Sequence, residues 1–86
     1  MKQIEARNNY RKIEAEYNAA FLAERWEEVE RLEEPLLDTG VAMADAYLEH
    51  LRTIATPEQF KIIEGLRWRE AFWKKISAPG FMEATA

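Results

Sequence analysis

The sequence predicts an all-α fold, a small bundle of three main helices. The strongest observation is an apolar stripe at helical spacing between residues 26 and 54. Its members are Val29, Leu32, Leu36, Met43, Tyr47, Leu51 and Ile54. The composition supports a folded chain, since 48% of the 86 residues are hydrophobic and 12% are aromatic. One amphipathic helix cannot bury its own stripe, so the segments on both sides are expected to pack on it.

The first helix is predicted over residues 2–23, where no glycine or proline interrupts the chain. Its apolar face consists of Ala6, Tyr10, Ile13, Tyr17 and Phe21. The apolar residues that follow keep helical spacing, but their stripe is rotated by about 120° at 100° per residue. Two interpretations remain open. Either the chain turns over between Ala23 and Arg25, or one helix runs unbroken to about Glu34 and contacts different neighbours with its two halves.

Residues in this region carry one family resemblance. They are Ala20, the Arg25-Trp26-Glu27-Glu28-Val29 stretch, Leu32, and Leu36 with Leu37. With them, residues 13–37 resemble a single tetratricopeptide-type helical hairpin, in its small residue, inter-helix turn and second-helix packing positions. The resemblance covers less than a third of the chain and no second copy follows. It implies a local hairpin geometry and no peptide-binding activity.

The second helix is predicted over residues 25–55, kinked or split between Pro35 and Gly40. Pro35 lacks an amide hydrogen and clashes with the carbonyl group four residues earlier in a helix. Gly40 lies on the apolar face. At this glycine, either the helix stops and restarts with Asp38 as a cap, or another helix approaches closely.

The third helix is predicted over residues 57–76. It begins with a capping-box pattern, in which Thr56 is the N-cap, Pro57 is the first helical residue and Gln59 is the third. It ends before Pro79, because the residue preceding a proline avoids helical angles. These boundaries predict a single helical domain over residues 1–77 and a short C-terminal tail over residues 78–86.

Charge is unevenly distributed in a chain whose net charge is −4. Residues 24–49 contain nine acidic and two basic side chains, whereas residues 61–75 contain five basic and two acidic ones. Two explanations are open. The acidic middle packs against the two ends of the same chain, where residues 2–12 and 61–75 each carry a net charge of +3, or it meets a basic partner.

The last predicted helix has more apolar surface than one core contact requires. Its expected core face consists of Ile62, Ile63, Leu66, Trp73 and Ile76. Trp68 and Phe72 form an additional pair four residues apart, with Arg69 beside them. The pair is either buried by a core that wraps the helix on two sides, or part of a protein interface, where Trp and Arg are enriched.

The predicted function follows from that surplus: a small protein-interaction module, a regulator or adaptor that forms oligomers. The expected contact residues are Trp68, Phe72, Arg69 and Trp26. Its partner is a protein, which includes a second copy of the chain. The alternative is an acidic helical inhibitor of the phage or antitoxin type. There, Glu27, Glu30 and Glu34 would occupy a basic nucleic-acid or substrate site on a target protein.

Other classes of function find little support in the residues. The chain has no cysteine, and Tyr47 stands where a helical di-metal site would need Glu before His50. We therefore expect no metal, no cofactor and no enzymatic activity. Basic side chains spread around the last helix, so nucleic acid is not an expected partner. The start lacks the apolar run of a signal peptide and no stretch is long and apolar enough to span a membrane, which predicts a cytoplasmic protein.

Overall fold

Two long helices and three short ones make up the fold. The computed structural model describes residues 2–85, and every regular element in that range is helical. The helices are α1 (Lys2–Leu22), α2 (Trp26–Ile54), α3 (Pro57–Glu64), α4 (Glu70–Ser77) and α5 (Phe81–Thr85). The all-α prediction is confirmed. The molecule is elongated, with extents of 45 × 22 × 16 Å, because α1 and α2 form a long antiparallel hairpin.

The chain turns over between α1 and α2, so the first of the two sequence interpretations is correct. Glu24 has a positive φ of 56°, and the Arg25 amide donates to the Ala20 carbonyl oxygen at 2.9 Å. This return closes α1 in a left-handed turn, a common way for a helix to end. Ala20 is fully buried against Val29 and Leu32. The rotation of the apolar stripe therefore marks the change from one helix to the next.

α2 continues through both of its predicted weak points. Pro35 lies inside the helix, and the Thr39 hydroxyl donates to the Pro35 carbonyl oxygen at 2.8 Å. Gly40 is buried, and the ring of Trp73 lies where a Cβ atom would be. Of the two alternatives for Gly40, close approach of another helix is therefore the correct one.

The third predicted helix is divided in the structure. Its capping box is present, with the Gln59 amide donating to Thr56 Oγ1 at 3.2 Å. α3 ends at Glu64, and α4 begins only at Glu70. The turn between them lets the Trp73 indole donate to the Arg67 carbonyl oxygen at 2.6 Å. In a straight helix, the Trp73 indole and the Arg67 carbonyl would lie too far apart for this hydrogen bond. The chain therefore breaks the helix and packs α4 on the hairpin.

The C-terminal segment packs against α1. Residues 81–85 of the predicted tail form α5, in which Met82 is fully buried. Glu83 pairs with Arg7, and Arg11 Nη1 donates to the Ser77 carbonyl oxygen at 2.7 Å. The hydrogen bond from Arg7 lowers the pKa of Glu83. The division of the chain at residue 77 remains a prediction, and its outer limits at residues 1 and 86 lie outside the described residues.

Among residues 2–85, the buried apolar side chains form two separate clusters. The main core joins α2, α4 and α5, and its buried members are Met43, Ala44, Tyr47, Leu48, Leu51, Ile76 and Met82. The second cluster contains only Ala20, Val29 and Leu32, with Tyr17 packed beside them. It lies in the part of the hairpin that α3–α5 do not cover, residues 17–34, which we call the helical arm. Within residues 2–85, no helix is apolar enough over a sufficient length to cross a membrane.

Candidate protein-interaction surface

Trp68 and Phe72 do not form the pair that the sequence predicts. Trp68 lies in the turn before α4, 69% exposed, with its ring centroid 6.3 Å from that of Trp73. The Arg67 guanidinium lies 4.9 Å from the Trp68 ring centroid. Phe72 is half-buried and contacts Tyr47, with 6.3 Å between centroids. Because the helix breaks between them, the two rings have different neighbours, and their role in partner binding remains a prediction.

A groove with apolar walls lies between the C-terminal part of α2 and α3. We call it the apolar groove, and its volume is about 440 Å³. It is lined by Tyr47, Leu51, Ile54, Ala55, Gln59, Ile62 and Ile63. Ile62 is 69% exposed and Ile54 is 58% exposed. α3 contributes no fully buried residue, so the groove results from a short helix that contacts the core only through Phe60 and Ile63.

A smaller hollow adjoins the apolar groove along α4. It is lined by Leu66, Arg69, Ala71, Phe72 and Lys75 and has a volume of about 190 Å³. Phe72, which lines the hollow, lies against Tyr47, which lines the groove, so the two depressions are close together. The structure thus brings together two of the predicted contact residues, Phe72 and Arg69. Because Arg69 and Lys75 are its charged lining residues, this end of the surface is basic.

The sequence analysis missed the most exposed wall of this surface. Ile62 and Leu66 were expected on the core face of one continuous helix, but both are exposed. Ile54 was expected to complete the buried stripe of α2 and is exposed as well. The available signal was Gly65, because a glycine inside a helix costs about 1 kcal/mol relative to alanine. α3 ends next to this glycine, so α3 and α4 pack on the hairpin as separate helices.

Trp26, the fourth predicted contact residue, lies at the other end of the molecule. It is 54% exposed at the start of α2, and its ring packs edge-on against Phe21 at 5.3 Å between centroids. Leu22, beside them, is 83% exposed. Along α2, 21 residues separate Trp26 from Tyr47, which is roughly 30 Å at 1.5 Å per residue. Trp26 and the apolar groove are therefore two distinct surfaces.

The acidic side chains of the helical arm are largely unneutralised. Glu27, Glu30 and Glu34 are exposed and take part in none of the ion pairs among residues 2–85. In that range, Asp45 with Arg67 is the one ion pair that joins the acidic middle to the basic segment 61–75. Pairing within one molecule therefore neutralises Asp45, whereas Glu27, Glu30 and Glu34 of the arm keep their negative charge.

Titratable groups in the described part of the chain are dispersed. Residues 2–85 contain no group of three or more His, Cys, Asp or Glu side chains placed to hold a metal ion. Burial, assisted by the neighbouring Glu14 carboxylate, raises the pKa of Tyr10 to about 12. Tyr10 therefore stays a neutral phenol at physiological pH, and its ring packs edge-on against Trp73 at 6.3 Å. This environment is that of a packing residue.

Comparison with known proteins gives no relative. No protein-family model matches the chain, and no match was found to a curated protein or to a solved structure. The helical hairpin that the tetratricopeptide resemblance implied is present, with its turn between Leu22 and Trp26. Local hairpin geometry is common to many helical folds and does not by itself indicate a function.

Proposed function

We propose that the chain is a small cytoplasmic protein-interaction module, a regulator or adaptor that binds through the apolar groove and the adjoining basic hollow. The observation that carries the proposal is the position of Ile62 and Ile54, two large aliphatic side chains that both line the groove and remain mostly exposed. Burying such a side chain contributes about 1.5–3 kcal/mol. A partner that covers both, together with Leu66, would gain several kcal/mol.

The shape of the surface favours an apolar segment as the bound element. Two helices form the walls of the groove, and its Tyr47 packs against Phe72 of the hollow. An amphipathic helix uses such a surface by placing successive apolar residues into it. Arg69 and Lys75 at one end favour a segment with acidic residues beside its apolar ones.

The helical arm supports a second candidate function, the acidic inhibitor. Glu27, Glu30 and Glu34 are exposed along the arm, without ion-pair partners among the described residues. They could occupy a basic site on a target protein. Binding of this kind should weaken steeply as salt is added, because exposed charges are screened within about 10 Å at 0.1 M salt. Binding through the apolar groove should depend much less on salt.

Site-specific photo-crosslinking tests the proposed function. A benzophenone amino acid at position 62 places the reactive group on the wall of the apolar groove. The matched control carries it at position 42, an exposed alanine on α2 that does not line the groove. In the native cell, we expect one discrete protein adduct at position 62 that is absent or several-fold weaker at position 42. Equal adduct patterns at the two positions would contradict the proposal.

A further inference from the structure

The tip of the helical arm exposes large apolar side chains next to a small buried cluster. Phe21, Leu22 and Trp26 are all at least half exposed. The cluster below them has only three buried residues, and it is separate from the main core. Exposed large apolar side chains at the end of a protruding element are typical of a surface that another molecule covers.

The tip is also acidic. Residues 24–34 include six glutamates and two arginines. Both arginines, Arg25 and Arg31, pair with the same carboxylate, that of Glu28. The remaining carboxylates of this stretch, Glu27 and Glu30 among them, have no cationic partner in the described part of the chain.

The hollow along α4 has the complementary chemistry. Leu66 and Phe72 provide apolar walls, and Arg69 and Lys75 provide positive charge. Arg67 pairs with Asp45, whereas Arg69 and Lys75 form no ion pair within residues 2–85. An apolar tip with carboxylates beside it therefore matches an apolar hollow with cations beside it.

The two surfaces cannot meet within one molecule. The rise of α2 separates Trp26 from the level of Tyr47 by roughly 30 Å, and the helix is continuous between them. We propose that the chain associates head to tail, with the arm tip of one copy in the basic hollow and apolar groove of the next. This proposal rests on the proposed function, because it names a second copy of the chain as the occupant of that surface. Such a head-to-tail contact, which is not returned between the same two copies, generates a ring or an open chain of subunits.

Sedimentation analysis across a concentration series tests the head-to-tail contact. The wild-type protein is expected to gain average mass as its concentration rises from micromolar to millimolar. Trp26→Ala at the tip and Leu66→Glu in the hollow should each raise the dissociation constant by about tenfold or more. The double change Glu27→Lys with Glu30→Lys repeats the tip test at exposed positions, and Ala42→Glu is the control that should assemble like wild type. Circular dichroism verifies that each variant is folded.

Mixing the variants tests whether the tip of one copy contacts the hollow of another. The wild-type mass, which should exceed that of two chains, distinguishes the head-to-tail geometry from a two-fold dimer that exchanges both tips. Trp26→Ala keeps an intact hollow, and Leu66→Glu keeps an intact tip. An equimolar mixture should therefore form a complex of two chains and no larger species, although neither variant assembles alone. A wild-type protein that stays a single chain at all concentrations, or a mixture that stays monomeric, would overturn the proposal. If wild type is monomeric while position 62 still crosslinks to another protein, self-association fails and the proposed function stands. If the adducts at positions 62 and 42 are also alike, both fail.

Discussion

Replacing Gly40 with valine is expected to destabilise the protein by about 3 kcal/mol, near the upper end of the usual cost of overpacking. A Cβ atom at this position would lie 2.9 Å from Cη2 and 3.0 Å from Cε3 of Trp73. The indole has little freedom to move, because it donates to the Arg67 carbonyl oxygen and packs against Tyr10. The added side chain therefore pushes α4 away from α2. Urea unfolding measures the loss.

Gly65→Ala is the matched control for this prediction. A Cβ atom there would meet the Ile62 carbonyl oxygen at 3.4 Å, close to ordinary contact distance. The backbone of Gly65 is right-handed helical, with φ −65°, so alanine fits without strain. Such a change is expected to be neutral or to stabilise by about 0.4–1 kcal/mol. Equal destabilisation by Gly40→Val and Gly65→Ala would show that Trp73 does not pack on Gly40.

Ile76→Ala is expected to cost about 2–5 kcal/mol, the usual range for truncating a buried isoleucine. Ile76 is 1% exposed and packs in the main core with residues from α2 and α5. A chain of this length has a total stability of roughly 4–13 kcal/mol at 0.05–0.15 kcal/mol per residue. The variant is therefore expected to lose a large share of its stability and to unfold at a lower temperature and a lower urea concentration than the wild type. Thermal and urea unfolding both measure this effect.

The same substitution at Ile62 provides the comparison. Ile62 lies on the wall of the apolar groove and is mostly exposed, so Ile62→Ala should change stability by about 0.5 kcal/mol or less. It should, however, weaken partner binding. If Ile62→Ala destabilised the isolated protein as much as Ile76→Ala, Ile62 would be a core residue. The groove would then not exist as an open surface.

Much of the fold could be predicted because, in the hairpin, the local sequence pattern and the tertiary packing favour the same structure. The apolar stripe of α2 required a covering helix, and the rotation of the stripe at residues 23–25 marked the turn. Thr56 and Gln59 fixed the start of α3 through their own hydrogen bonds, which need no tertiary contact. The break after Glu64 is different. It depends on the packing of Trp73 on Gly40, two residues far apart in sequence, and helical spacing gave no sign of that contact.

The candidate site was less predictable than the fold, because it also depends on contacts between residues that are far apart in sequence. Phe72 and Arg69 were identified from their residue types, and the structure places both in one hollow. Ile54 was assigned to the core as part of the apolar stripe of the second helix, and Ile62 as part of the core face of a continuous third helix. The third helix is divided in the structure, and Gly65 was the available signal in the sequence for that division. Trp26 was identified as a contact residue. Its position at the opposite end of the molecule became known only from the antiparallel arrangement of α1 and α2.

The central claim is that another protein surface covers the apolar groove in the cell. Because the chain has no cysteine, single cysteines can be introduced as reporters at Ile62 and, as a control, at the exposed Ala42. The measurement is the rate of maleimide alkylation at each position, in the native cell and in dilute purified protein. We expect both positions to react rapidly in dilute solution, and position 62 to react several-fold more slowly than position 42 in the cell. Equal rates at the two positions in the cell would contradict the claim.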